Sequence, residues 1–142
     1  MIENYKKKLK QRIENYCETN YQKVSRDQMK MGKGIFNQRC QLNAVQQVKE
    51  GLMKQVYLCI CFSESCYPIV HFINKDNEGN YIDNTLGFEY EKYEYYIIRE
   101  IDESEFLKTD SILMNTKKSL IKLHSNALIN KVFGINEFNL GI

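Results

Sequence analysis

The stretch "PIVHFINKDNEGNYIDNTLG", residues 68–87, decides the fold. Two apolar runs of alternating character flank a turn, "KDNEG", which is the pattern of two antiparallel strands joined tightly. On the first strand Val70 and Phe72 share one face, and Ile69, His71 and Ile73 the other. On the second, Ile82 and Leu86 oppose Tyr81, Asp83 and Thr85. A type I turn with Gly79 left-handed makes a three-residue loop, pairs His71 with Thr85 and leaves Asp83 diagonal on the same face. A loop centred on Asn77 would set His71 directly opposite Asp83, and a four-residue loop would separate them.

Outward from this hairpin the period changes on both sides. Upstream, "QVYLCICF" (55–62) is a third strand, rich in residues that suit a pleated surface. Downstream, "YEKYEYYIIREI" (90–101) alternates and reads as a fourth. Residues 2–20 carry Ile2, Tyr5, Leu9, Ile13 and Tyr16 at helical spacing beneath a lysine-rich outer face. Residues 25–37, with Gly32 and Gly34, read as a loop. From Cys40, "CQLNAVQQVKEGLMK" is helical, with Cys40, Ala44, Val48 and Leu52 on one stripe. Helical spacing returns over 104–133, as a short helix up to Thr109 and a longer one capped by Asp110 or Ser111. The fold class expected is α+β: an antiparallel sheet packed against an N-terminal helix, a central cysteine-bearing helix and C-terminal helices.

Residues 1–142 are the size of one domain with a core that needs no staple. With 20 basic and 18 acidic residues, the chain as a whole is no electrostatic nucleic-acid binder. "MIENYKKKLKQR" has charges too early for a signal peptide or membrane span, so the expectation is a cytoplasmic protein with reduced thiols. No cofactor, metal, nucleic acid or membrane is called for.

The hairpin poses a chemical question. A histidine that moves protons needs one ring nitrogen fixed by a carboxylate or amide and the other free for a nucleophile. Asp83 can be that orienting group. The nucleophile belongs at a helix N-terminus, where free N–H groups and the helix dipole favour thiolate, and Cys40 meets this condition. Packing its helical stripe on the His71 face would bring the thiol over the sheet. Its own N–H would then help stabilise an oxyanion, and Gln38 is the candidate side-chain donor beside it.

The order "CQLNA", the glycine of "KEG", a strand, "PIVHF" and "GNYIDNT" resembles the core of the transglutaminase-like and papain-like cysteine hydrolases, over residues 36–90. The resemblance implies Cys40 as nucleophile, His71 as base and acid, and Asp83 as orienter. Asp83 with Thr85 two positions on is similar to the transglutaminase-like branch. Ile73 departs from the aromatic residue that branch often has there, and the glutamine that papain relatives place before the cysteine has no clear counterpart. The activity implied is hydrolysis or acyl transfer at an amide bond of a peptide or protein.

Other readings accompany each residue. Cys59, Cys61 and Cys66 with His71 invite a zinc reading, but no C-x-x-C knuckle is present, and the strand cysteines Cys59 and Cys61 are more simply core. His124 reads as structural or exposed. The alternative function is a non-enzymatic interaction domain that uses the tyrosine-rich strand and the lysine-rich first helix. A basic-surface nucleic-acid accessory protein is a third, weaker one.

Overall fold

The computed structural model describes residues 1–64 and 68–142. The described helices are α1 (Ile2–Asn20), α2 (Cys40–Lys49), α3 (Thr109–His124) and α4 (Ala127–Phe133). The strands are β1 (Gln22–Lys23), β2 (Met29–Met31), β3 (Gln55–Phe62), β4 (Ile69–Lys75), β5 (Tyr81–Asp83) and β6 (Glu94–Ile101). They form one mixed sheet in the order β1-β6-β3-β4-β5-β2, curled towards a half-barrel. The α+β class therefore holds.

Several expectations need correction. The strand expected over 90–101 starts only at Glu94, after a 3-10 turn at Gly87–Lys92, and the long C-terminal helix is broken between α3 and α4, where Asn126 caps the second piece. The sheet is not wholly antiparallel, because β2 runs parallel to β5. Residues 25–37 are not a plain loop: they carry a 3-10 turn at Arg26–Gln28 and then β2. Short strands in polar sequence leave no alternation to read, which is why both edge strands escaped notice. The helix of 109–124 begins at Thr109 with Lys108 at its N-cap, and neither Asp110 nor Ser111 caps it. A cap instead closes the preceding 3-10 turn, where Asp102 accepts from the Ser104 N–H.

Two cores lie on opposite faces of the sheet. On one face Val56, Leu58, Ile60, Val70, Phe72 and Tyr96 pack under α1, α2 and α3, with Leu9, Ile13, Ala44, Val45 and Leu120. The C-terminal segment docks into the same core through Ile135, Leu140 and Ile142. On the other face lie Val24, Met29, Cys59, Cys61, Ile73, Tyr81 and Tyr95. The stripe on α2 is shorter than expected: the helix stops at Lys49, Gly51 turns the chain at φ +75°, and Leu52 is exposed.

The hairpin adopts the three-residue loop. Asp76 N–H donates to Asn80 O, and Gly79 sits at φ +87° where a glycine is tolerated without strain. Pairing of Asn74 with Ile82 and Lys75 with Tyr81 sets Asp83 diagonal to His71. The pairing stops there, so β4 upstream of Asn74 has an open edge on that side.

The segment after β2 crosses the end of β5 closely. A Cβ on Gly32 would lie 2.3 Å from Asp83 O, backbone that has no room to yield. Gly32→Ala is therefore expected to lose about 1–3 kcal/mol, read as a lower urea midpoint at unchanged m. An unchanged midpoint would show that this crossing does not constrain β5.

Candidate active site

The site forms where β4 loses its partner strand. Residues 70, 72 and 74 of β4 direct their backbone groups toward the β5 side, because Lys75 O is taken by Lys54 N–H on the β3 side. Asn74 finds β5, but Phe72 does not. Its N–H faces the sulfur of Cys40 instead, the first residue of α2, and helps to lower that thiol. The stripe of α2 packs on the Val70–Phe72 face, not on the His71 face as expected from the sequence. His71 lies across from Cys59 on the opposite face, and the sulfur meets the imidazole at the strand edge. The thiol reaches the ring around the edge, without crossing the sheet.

The polar residues that seat α2 there are mostly amides. Asn74, fully buried, donates to Ala44 O at 2.9 Å and to Gln55 O at 3.1 Å. Its own oxygen accepts from Asn84 Nδ2 at 3.0 Å. Asn43 donates to Thr85 Oγ1 at 2.9 Å, and its side chain also bonds Asn37 in the preceding loop. Buried amides cost stability unless paired, so these bonds specify where the helix sits. Thr85 also donates its N–H to Asp83 Oδ1 at 3.0 Å, which joins the helix seat to the carboxylate.

Asp83 is wholly buried. Its Oδ1 accepts from the N–H groups of Thr85 and of Leu86, the latter at 2.9 Å. Its Oδ2 is shared by His71 Nε2 at 2.8 Å and by the Tyr95 hydroxyl at 2.6 Å. With Nε2 held by the carboxylate, Nδ1 is the nitrogen left for Cys40. The Tyr95 contact is long-range: β6 is three strands from β5 in the sheet order, roughly 14 Å on a flat sheet. Only the curl lets one side chain span it, and Tyr95 packs in one cluster with Cys59 and Cys61 of β3.

These contacts separate the four thiols among the described residues into two kinds. Burial pushes Cys40 up, but the positive charge of His71, its hydrogen bond and the Phe72 N–H outweigh that, and the thiol ends below its ordinary value of 9.0. Burial dominates for Cys59, raised well above that value, and for Cys61 and Cys17, each pushed up to about 12. His71 feels burial pulling it down, yet Asp83 and Cys40 raise it well above 6.5. Asp83 is driven up by burial and, more strongly, down by His71 and its donors. All three shifts run in one direction, towards thiolate at Cys40, imidazolium at His71 and carboxylate at Asp83.

Gln38 stands at φ +60° two residues before Cys40, exposed, and its side chain makes no hydrogen bond among the described residues. A non-glycine residue in this conformation is uncommon and marks a constrained approach to the helix. Gln41 Oε1 lies 3.7 Å from the sulfur, a long contact, while its amide nitrogen is tied to Asp110 Oδ1 at 2.7 Å. α2 has no side-chain cap, so its first N–H groups have no helical partner. His124 stands apart, half-buried against Tyr16. Cys59 and Cys61 are core, and Cys66 falls outside the described residues.

Sequence reasoning brought Cys40, His71 and Asp83 together and missed Tyr95, Asn43, Asn74 and Asn84. A polar residue in a buried strand is a signal, and Asn74 carried it. Tyr95 carried none, being one of several tyrosines in "EYEKYEYY". The chain matches no family model, no curated protein and no solved structure. Among the described residues, no helix is long and apolar enough to cross a membrane.

Two outcomes follow. Iodoacetamide near neutral pH should alkylate Cys40 ahead of Cys17, Cys59 and Cys61 in peptide-mapped mass spectra, although Cys40 is only 8% exposed. Equal labelling of all four, arising only after unfolding, would contradict the ion pair. The stability Asp83 supplies is present above the ordinary carboxylate value of 3.8 and is lost as pH falls through its depressed one. His71 supplies stability that is fully present below 6.5 and is lost as pH rises through its raised value. Asp83→Asn should flatten both limbs of urea stability against pH; limbs unchanged from the wild type would place the titrations elsewhere.

Proposed function

We propose that the protein is a small cysteine hydrolase or acyl-transferase acting on an amide bond of a peptide or protein. The observation that carries this reading is the Cys40 thiol set beside the His71 ring and lowered by it, while His71 Nε2 is held by the buried carboxylate of Asp83 at 2.8 Å. Structural cysteines in apolar surroundings have raised thiols, as Cys59 and Cys61 do, and stay inert. A buried thiol with a lowered one needs a charge partner, and such pairs concentrate at catalytic sites.

The chemistry runs in two halves. The Cys40 thiolate attacks the carbonyl carbon and forms a C–S bond, and the negative oxygen that develops is met by the Cys40 N–H at the uncapped start of α2. His71 gives its proton to the leaving nitrogen as the C–N bond breaks, leaving a thioester and a neutral imidazole. Water or an amine then attacks the thioester. His71 takes the proton from that nucleophile, the C–S bond breaks, and thiolate and imidazolium are restored. Asp83 holds the ring in one orientation throughout and is not itself protonated. Gln38, exposed two residues before Cys40, is the side chain proposed to assist the oxyanion by turning toward the helix start.

Cys40→Ala should keep the fold and lose activity against peptide amides and activated esters by about 10⁴-fold or more. Cys40→Ala with activity within tenfold of wild type would refute the nucleophile. The rate of the wild type, kcat/KM, should be bell-shaped in pH. Its rising limb should lie below the thiol value of 9.0, as the sulfur ionises, and its falling limb above 6.5, as His71 loses its proton. A single rising limb near 9.0 would mean a neutral pair and an unactivated thiol.

A further inference from the structure

We propose that Tyr95 is a positioning residue that limits how tightly Asp83 holds His71, by placing its hydroxyl on the same carboxylate oxygen that accepts from Nε2. The geometry is unusual in one respect. Oδ1 already carries two backbone donors, from Thr85 and Leu86, so the carboxylate has its four acceptor positions occupied. Tyr95 reaches across two intervening strands for the last of them, at 2.6 Å, the shortest of the four contacts. A tyrosine needed only to fill the core could be phenylalanine, whose ring packs equally well on Cys59 and Cys61.

The consequence lies in the second half of the reaction. In the resting state two groups favour the positive form of His71, Asp83 and the Cys40 sulfur. Acylation removes one of them, because a thioester carries no charge. Asp83 alone then decides whether the ring gives up its proton and acts as base. An undivided carboxylate at 2.8 Å in a buried site favours the imidazolium strongly. A hydroxyl drawing on the same oxygen weakens that hold and leaves the neutral imidazole accessible. Among the described residues, the titratable groups around the ring are Cys40 from α2, Cys61 and the cross-strand Cys59 from β3, Asp83 from β5, and Tyr95 by way of Asp83 from β6. Cys59 and Cys61 remain thiols, since burial raises both, so they add no competing charge.

This inference deepens the acyl-transfer reading, and its first test does not depend on it. In Cys40→Ala protein, which lacks the thiolate as the acyl-enzyme does, the His71 ring is titrated by NMR with and without Tyr95→Phe. The expected result is a rise of roughly one unit in the His71 midpoint on loss of the hydroxyl. A midpoint unchanged or lowered overturns the proposal. Site-specific 3,5-difluorotyrosine at position 95, a stronger donor of the same shape, should move the midpoint the other way, and it answers the question if the phenylalanine variant does not fold. The second test is kinetic. With an activated ester, Tyr95→Phe on the intact chain should lower kcat at neutral pH by about tenfold, leave kcat/KM within about twofold, and regain kcat as pH is raised. Equal losses in both constants with no recovery at higher pH would mark a merely structural tyrosine. Absence of any turnover by the wild type, beside a shifted His71 midpoint, would remove the acyl-transfer reading and leave the role of Tyr95 standing.

Discussion

A carboxylate taken wholly out of water has to be surrounded by donors, and that requirement organises this molecule around Asp83. Two of its donors are N–H groups of the turn that follows β5, which fixes where the strand must end. A third is His71 on the neighbouring strand, which demands the three-residue hairpin loop, since slipping the register by one residue would turn Asp83 to the other face. The fourth is Tyr95, on a strand three places away, which is reachable only because the sheet curls. One buried charge thus ties together the hairpin, the early end of β5 and the curvature of the sheet.

The early end of β5 has its own effect. It leaves the β4 edge open at Phe72, and an N–H on an open buried edge needs a partner. The partner is a sulfur delivered by α2, and a sulfur that accepts a backbone hydrogen bond beside an imidazolium is stabilised as thiolate. The site follows from satisfying backbone and charge at one interruption of the sheet. The amides Asn43, Asn74 and Asn84 then set the helix against that interruption, where apolar packing alone would let it slide. Asn74 bonds Ala44 O and Asn84, and Asn43 bonds Ile35 O and the Thr85 hydroxyl, so their geometry is fixed by the fold and not by solvent.

Much of this could be read in the residues before any coordinate was known. The alternation of 69–75, the glycine at 79 and the helical stripe from Cys40 are local signals, and local signals survive folding. They sufficed to put Cys40, His71 and Asp83 on a helix and two strands, with Asp83 diagonal to His71 as one of the registers considered. The face on which α2 packs could not be read, because the stripe fits either side of a sheet that is apolar on both. The two edge strands were hidden by brevity and polarity, and the parallel pairing of β2 depends on the crossing made by Gly32. Tyr95 was hidden for a different reason. Its role depends on curvature, a property of the whole sheet that no window of sequence carries.

The central claim is that the Cys40 sulfur lies against the His71 ring at the strand edge as one member of an ion pair. A crystal structure of the unmodified protein near neutral pH measures this most directly. The account predicts the sulfur within about 4 Å of Nδ1, with Nε2 on Asp83 Oδ2 and the Phe72 N–H directed at the sulfur. A sulfur turned inward among Ala44 and Val45, with Nδ1 bonded to some other group, would contradict it and leave an ordinary core cysteine at the start of α2.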